Sequence, residues 1–163
     1  MTIYTNLYKI IFIGDTNSGK TSIIERYINN SFYEKIMPTV GLEYNSTIYN
    51  NTIKVRIWDL SGNIYTITKL YFDDVNIAII VFDLGKKDSL DTLQKWIDMC
   101  KNKKVILVGN KNDLDSQIDK LDILKIINDN ENIFSYIESS AKNNKNIKEI
   151  IDKVSNCMNI IDM

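Results

Sequence analysis

The sequence predicts an α/β fold, a mostly parallel sheet with helices against both faces. Three observations predict it. Short apolar runs rich in Ile and Val recur along the chain, each bounded by turn residues. Amphipathic helical stretches fall between most of these runs. One alternating stretch runs into Asn50-Asn51, a two-residue turn signal, and so predicts a hairpin. The length of 163 residues suits a single domain over 1–163.

The first strand falls at 7–13, where the apolar run is nearly continuous. Residues 42–49 alternate more weakly and join the run at 53–58 across the Asn50-Asn51 turn. Strands joined by so tight a turn run antiparallel, which puts one antiparallel strand at the sheet edge. Runs at 76–82, 105–108 and 133–137 complete a six-stranded sheet. Continuous apolar runs of this length read as strands buried on both faces. Four stretches carry the helical period. Residues 21–28 hold Ile23, Ile24, Tyr27 and Ile28; residues 89–100 hold Leu90, Leu93, Trp96 and Ile97. Residues 119–128 hold Leu121, Leu124 and Ile127; residues 147–158 hold Ile147, Ile150, Ile151, Val154 and Met158. A spacing near 3.6 turns each of these stripes toward the core.

Composition excludes several classes of function. Lys and Arg number 20 against 21 Asp and Glu, a net charge of −1. A protein held by nucleic-acid phosphates would carry a basic stripe, so no nucleic-acid partner is expected. There is no His, which removes Ser-His and Cys-His nucleophiles and argues against a zinc enzyme. Cys100 and Cys157 form no CxxC pair and read as reduced cytosolic thiols. No signal peptide, membrane-length apolar run or C-terminal CaaX box is visible, so the expectation is cytoplasmic. The heavy use of Ile, Asn and Lys reads as AT-rich coding, and it cheapens any motif built from Asn, Lys and Asp.

Ligands of such a sheet gather at the carboxyl ends of the strands. After the first strand comes Gly14-Asp15-Thr16-Asn17-Ser18-Gly19-Lys20-Thr21, which fits G-x-x-x-x-G-K-[ST]. Here Gly lets successive backbone N–H groups aim at phosphate oxygens, and the helix beginning at this point offers its positive end. Lys20 supplies a point charge, and Thr21 a hydroxyl for Mg²⁺. After the strand at 53–58 comes Asp59-Leu60-Ser61-Gly62, an acidic residue placed to hold Mg²⁺ and a Gly whose N–H can reach a γ-phosphate. After 105–108 comes Gly109-Asn110-Lys111-Asn112-Asp113. The Asp113 carboxylate can accept from guanine N1–H and the 2-amino group together; adenine lacks both donors. After 133–137 comes Glu138-Ser139-Ser140-Ala141-Lys142, small residues that let backbone N–H groups approach a base carbonyl.

The order GDTNSGKT, PTVG, WDLSG, GNKND, ESSAK resembles the small GTPases of the Ras superfamily, the Rab branch above all. The likeness spans roughly residues 4–157 and includes Thr66-Ile67-Thr68 followed by Tyr71-Phe72. It implies a P-loop NTPase G domain that binds GTP and GDP with Mg²⁺ and acts as a monomeric switch in vesicle and membrane trafficking. By resemblance, residues 14–22, from Gly14 to Thr21 and Ser22, bind the nucleotide, with Gly14, Gly19 and Lys20 cradling the phosphates. Thr21, Thr39 and Asp59 hold Mg²⁺, with Thr39 engaged only in the triphosphate state. Phe32 lies against the base. Asn110 and Asp113 read guanine, Lys111 packs along the base, and Ser140, Ala141 and Lys142 close the pocket. Lys20, Thr39, Gly62 and Asn63 form the catalytic set. The resemblance also implies exchange factors, GAPs and effectors as partners through residues about 32–44 and 60–72.

Tyr44, Trp58 and Tyr71 fall where Rabs keep an aromatic trio read by effectors; plain core packing is the competing reading. The family's DTAGQ becomes Asp59-Leu60-Ser61-Gly62-Asn63, without the Gln that orients the attacking water. Either Asn63 stands at the Gln position one methylene short, or the Gln is deleted, since the second switch also counts two residues shorter. A low intrinsic hydrolysis rate follows in both cases. A hydrolysis-defective GTP-binding module that sequesters or mimics Rab partners, and a different P-loop class, are the rival readings. Ile36 replaces a Tyr that covers the phosphates, and Thr16 and Asn17 replace small loop residues. Cys157 reads as a half-buried helix residue rather than a lipid site. Membrane attachment is then expected from a partner or from a lipidated tail outside this chain.

Overall fold

Alternation along each strand decides which helices it meets. In β1 (Asn6–Ile13), Tyr8, Ile10 and Phe12 point to one side of the sheet, Ile11 and Ile13 to the other. The structure, a computed structural model, describes residues 6–50, 53–63 and 69–161. The other strands are β2 (Leu42–Tyr49), β3 (Ile53–Leu60), β4 (Ile77–Asp83), β5 (Lys104–Asn110) and β6 (Ile133–Glu138). They form one sheet in the order β2-β3-β1-β4-β5-β6. β2 is antiparallel to β3, from Leu42 opposite Leu60 to Tyr49 opposite Ile53. All other neighbours are parallel. β4 is buried along its whole length, as its unbroken apolar run requires.

The helices are α1 (Lys20–Asn29), α2 (Leu93–Met99), α3 (Lys120–Asp129) and α4 (Ile147–Ile161). Ile23 and Ile24 of α1 pack with Ile147, Ile150, Ile151 and Val154 of α4 against one face of the sheet. Leu93, Trp96 and Ile97 of α2 pack with Ile123 of α3 against the other. The six-stranded sheet with one antiparallel edge and helices on both faces is therefore as the sequence predicts.

Several expectations are corrected. The stretch 89–100 is not one helix. A 3₁₀ turn at Lys87–Leu90 precedes α2, and the Ser89 hydroxyl donates to the carbonyls of Asp83 and Lys86 at 2.7 Å each. A Ser that satisfies itself on nearby backbone favours a turn over a continuous helix. The stripe predicted for α3 holds at Ile127 and fails at its two leucines. Leu121 and Leu124 are exposed, while Ile123 is buried and Ile126 and Ile127 pack beside it. The strands outrun their predicted ends, so that Asp59, Asp83 and Asn110 belong to β3, β4 and β5. Cys157 is fully buried rather than half-buried. The shortened second switch and Thr66-Ile67-Thr68 involve residues 64–68, outside the described residues. No helix among the described residues is long and apolar enough to cross a membrane.

Candidate nucleotide-binding site

The carboxyl ends of β1, β3, β5 and β6 meet at two adjoining cavities. The smaller, about 270 Å³, is bounded by Thr16, Asn17, Lys20, Thr21, Thr39 and Gly62, with Asn63 at its rim. The larger, about 620 Å³, lies among Phe32, Asn110, Lys111, Asp113, Ala141 and Lys142. Asn17, Gly19, Ser22 and Ile36 border both. A phosphate-sized end thus opens into a base-sized end.

The loop between β1 and α1 takes its shape from residues suited to unusual backbone. Gly19 has φ 98°, and a Cβ there would meet Asn110 Nδ2 at 2.1 Å. Asn17, at φ 65°, occupies a left-handed conformation that Asn tolerates better than most residues. No side chain caps the start of α1, and its first turn holds no acidic residue. The opening N–H groups of α1 therefore suit an anion. Lys20 is buried, and its ammonium donates to the carbonyls of Gly14 and Asp15 at 2.9 Å each. Burial pushes its pKa down to about 8, partly opposed by the negative charges of Asp59 and Asp15. The buried Ser18 hydroxyl has no partner among the described residues.

Three side-chain oxygens converge beside Lys20. The Thr21 hydroxyl donates to Asp59 Oδ2 at 2.5 Å and lies 3.0 Å from the Thr39 hydroxyl. Asp59 Oδ1 is buried without a hydrogen-bond partner among the described residues. Burial pushes the Asp59 carboxyl up to about 6, against the Thr21 hydrogen bond and the Lys20 charge, which lower it. Hydroxyl and carboxylate oxygens gathered around an orphaned buried oxygen suit a hard divalent cation such as Mg²⁺.

At the wider end, the Ser140 hydroxyl donates to Asp113 Oδ1 at 2.5 Å. Asn110 braces the loops with both ends of its amide. Its Nδ2 donates to the Ser18 carbonyl at 2.9 Å, and its Oδ1 accepts from Ser139 Oγ and the Ala141 N–H. Lys111 pairs with Asp83 at 2.7 Å, and Lys142 with Glu34 at 3.2 Å. Asp15 departs from expectation. Its carboxylate turns away from the cavities to accept from Thr92 and, at 2.8 Å, from the Trp96 indole N–H. Thr92, just before α2, and Trp96 on it win that carboxylate, leaving Asp15 only its backbone for a phosphate. Tyr44 meets Trp58 edge to face at 6.2 Å and is half exposed. Trp58 and Tyr71 rest partly on the second core. Arg26, which the motifs do not mark, braces the site from behind. It reaches from α1 to the carbonyls of Ala141 and Lys142, and only its fold partners reveal it.

Comparison with known proteins agrees with this geometry. The model of the Ras family matches residues 9–159. The chain is 33% identical to Ras-related protein Rab-1 of Theileria annulata, over 97% of this chain and 77% of that protein. It is 31% identical to Ras-related protein Rab-3 of Caenorhabditis elegans and 33% to Ras-related protein Rab-3A of Homo sapiens, each over 91% of this chain and 72% of the relative. Fold, loops and relatives together define a small GTPase. The chain belongs to the Ras family and stands close to the Rab proteins.

Proposed function

We propose that this chain is a guanine-nucleotide-dependent switch that hydrolyses GTP slowly and acts in membrane trafficking. The observation that carries the reading is the meeting of Lys20, Thr21, Thr39 and Asp59 at one end of a continuous cleft and Asp113 at the other. Gly14, Gly19, Lys20, Thr21 and Ser22 would take the phosphates. Thr21, Thr39 and Asp59 would hold Mg²⁺, which neutralises phosphate charge. Phe32, Lys111 and Ala141 would enclose the base, and Asp113 would select guanine.

In hydrolysis, water attacks the γ-phosphate in line. The Lys20 ammonium and the backbone N–H groups of the loop stabilise charge on the phosphoryl oxygens. An anion beside Lys20 offsets the cost of burying its ammonium. Asn63 follows Gly62 and lines the phosphate end; it stands in for the family's Gln with a side chain one methylene short, or the Gln is deleted. In either case the attacking water is poorly positioned, so the rate falls below an intrinsic value already about 10⁻⁴–10⁻³ s⁻¹ in the best-known case. Loss of the γ-phosphate removes what Thr39 and Gly62 would hold and so releases both switches. Effectors, exchange factors and GAPs would read residues around 32–44 and 60–72.

The test is single-turnover hydrolysis by the purified chain loaded with GTP and Mg²⁺. The expected result is GDP accumulating over hours, more slowly than in Rabs that carry the Gln. Hydrolysis as fast as theirs removes the assigned role of Asn63. GTP retained unchanged marks a non-hydrolysing binding module. Preferential binding of ATP overturns the reading.

A further inference from the structure

Arg26 joins three parts of the candidate site that no motif connects. It lies on α1, the helix that begins at the phosphate loop. Its Nε donates to the Ala141 carbonyl at 2.9 Å and one Nη to the Lys142 carbonyl at 3.1 Å. The other Nη donates to the Asn30 carbonyl at 2.9 Å, where α1 ends at φ 52°. The guanidinium also lies 6.0 Å from the centre of the Phe32 ring. Phe32 is one wall of the larger cavity, and Ala141 and Lys142 are another. A planar guanidinium with its donors in a fixed fork can hold three carbonyls at set angles; an ammonium cannot. The two loop carbonyls lie 115 and 116 residues away in sequence, so the contact ties distant loops rather than a local turn.

We propose that Arg26 is a positioning residue that sets the residence time of the bound nucleotide, by locking the Phe32 wall and the Ala141–Lys142 wall of the base pocket to α1. The inference rests on the proposed reading that this cavity takes guanine nucleotide. Arg26 touches neither base nor phosphate. It fixes the width of the pocket, and it leaves the phosphate end, built by Gly19, Lys20 and Thr21, as it stands.

The experiment compares the full chain with Arg26→Ala and Arg26→Lys. Release of fluorescently labelled GDP is followed by displacement, and binding of inorganic pyrophosphate to the nucleotide-free chain by calorimetry. Pyrophosphate occupies the phosphate end alone. Loss of charge-assisted hydrogen bonds should speed GDP release about ten- to hundredfold in Arg26→Ala. Arg26→Lys should lie between it and the parent, while pyrophosphate affinity stays within about twofold. If Arg26→Ala does not fold, Arg26→Lys alone carries the same comparison. Unchanged GDP release in the folded variants overturns the proposal. So does an equal loss of GDP and pyrophosphate affinity, which marks a general structural defect. If the parent chain binds no GDP, the proposed function itself fails and this inference with it. A parent that binds GDP, with variants that release it no faster, sinks the inference alone.

Discussion

Asp15 accepts the indole N–H of Trp96 at 2.8 Å, and its second carboxylate oxygen accepts the hydroxyl of Thr92. Trp96 is buried, so removing the carboxylate takes away the acceptor its N–H has in the fold. Asp15 also lends its carbonyl to Lys20, so one residue fixes the phosphate loop to α2 and steadies the lysine. Asp15→Ala should cost about 1–3 kcal/mol, the usual penalty for a buried donor left unpaired. Asp15→Asn keeps an acceptor for the indole and should cost less. Urea denaturation of the two variants checks this. Equal stability of Asp15→Ala and the parent chain would show the tie to be dispensable.

Gly62 meets the phosphate loop with no room for a side chain. A Cβ there would lie 2.1 Å from the Thr16 backbone nitrogen and 2.5 Å from the Asp15 carbonyl carbon. Both neighbours are backbone, so Gly62→Ala forces the segment outward. On the proposed reading GDP is held by the phosphate loop and base pocket alone, so its binding should persist. The preference for a triphosphate analogue, which needs Gly62 against the loop, should fall about tenfold, a cost near 1.4 kcal/mol. Affinities for GDP and a non-hydrolysable GTP analogue give the comparison. An unchanged preference would refute the role given to Gly62.

Asp113 faces the larger cavity with Ser140 holding one of its oxygens. Guanine presents two N–H groups to such a carboxylate, whereas xanthine replaces the 2-amino group with a carbonyl. Asp113→Asn should therefore lose about a hundredfold in GDP affinity and gain for xanthosine diphosphate. Competition between the two nucleotides measures it. Unaltered GDP binding would mean that this loop does not read the base.

Both thiols are buried, and burial raises the pKa of each, that of Cys100 to about 12. A thiol so raised favours the folded state fully below its unfolded pKa, about 8.5. That contribution fades only as pH rises from there toward 12. At pH 8 the native chain should react with a disulfide reagent far more slowly than the denatured chain, which should release two thiols. Rapid native labelling at pH 8 would contradict the burial of Cys157 or Cys100.

How much was legible in the sequence depended on the length scale of each contact. The strands were legible because burial on both faces leaves unbroken Ile and Val runs, as in β4. That the loop after β1, Asp59 and Asp113 gather at the carboxyl ends of the strands was legible, because each is set by local spacing along the chain. The roles of Asp15 and Arg26 were not, since their partners lie 81 and 115 residues away. Core packing of the aromatic trio holds for Trp58 and Tyr71, which lean on the core, and not for Tyr44, which is half exposed. In α3 two apolar stripes compete on one helix. Leu121 and Leu124 share one spacing; Ile123, Ile126 and Ile127 share another. Asp119 fixes where the helix begins, by accepting the Leu121 N–H at 2.9 Å, and the buried Ile118 just before it belongs to the same core as Ile123. Those contacts choose the isoleucine face, and hydrophobic period alone does not.

That choice has a direct consequence for stability. Ile123 is 2% exposed, whereas Leu124 is 52% exposed. Ile123→Ala removes buried methyl groups from the core shared with Ile118 and should cost about 2–4 kcal/mol. Leu124→Ala removes a side chain already half in water and should stay within about 0.5 kcal/mol, with alanine's higher helix propensity offsetting part of the loss. Guanidinium denaturation of the two variants separates the two faces of α3. Equal destabilisation, or the greater loss at Leu124, would return the helix to the leucine-inward orientation.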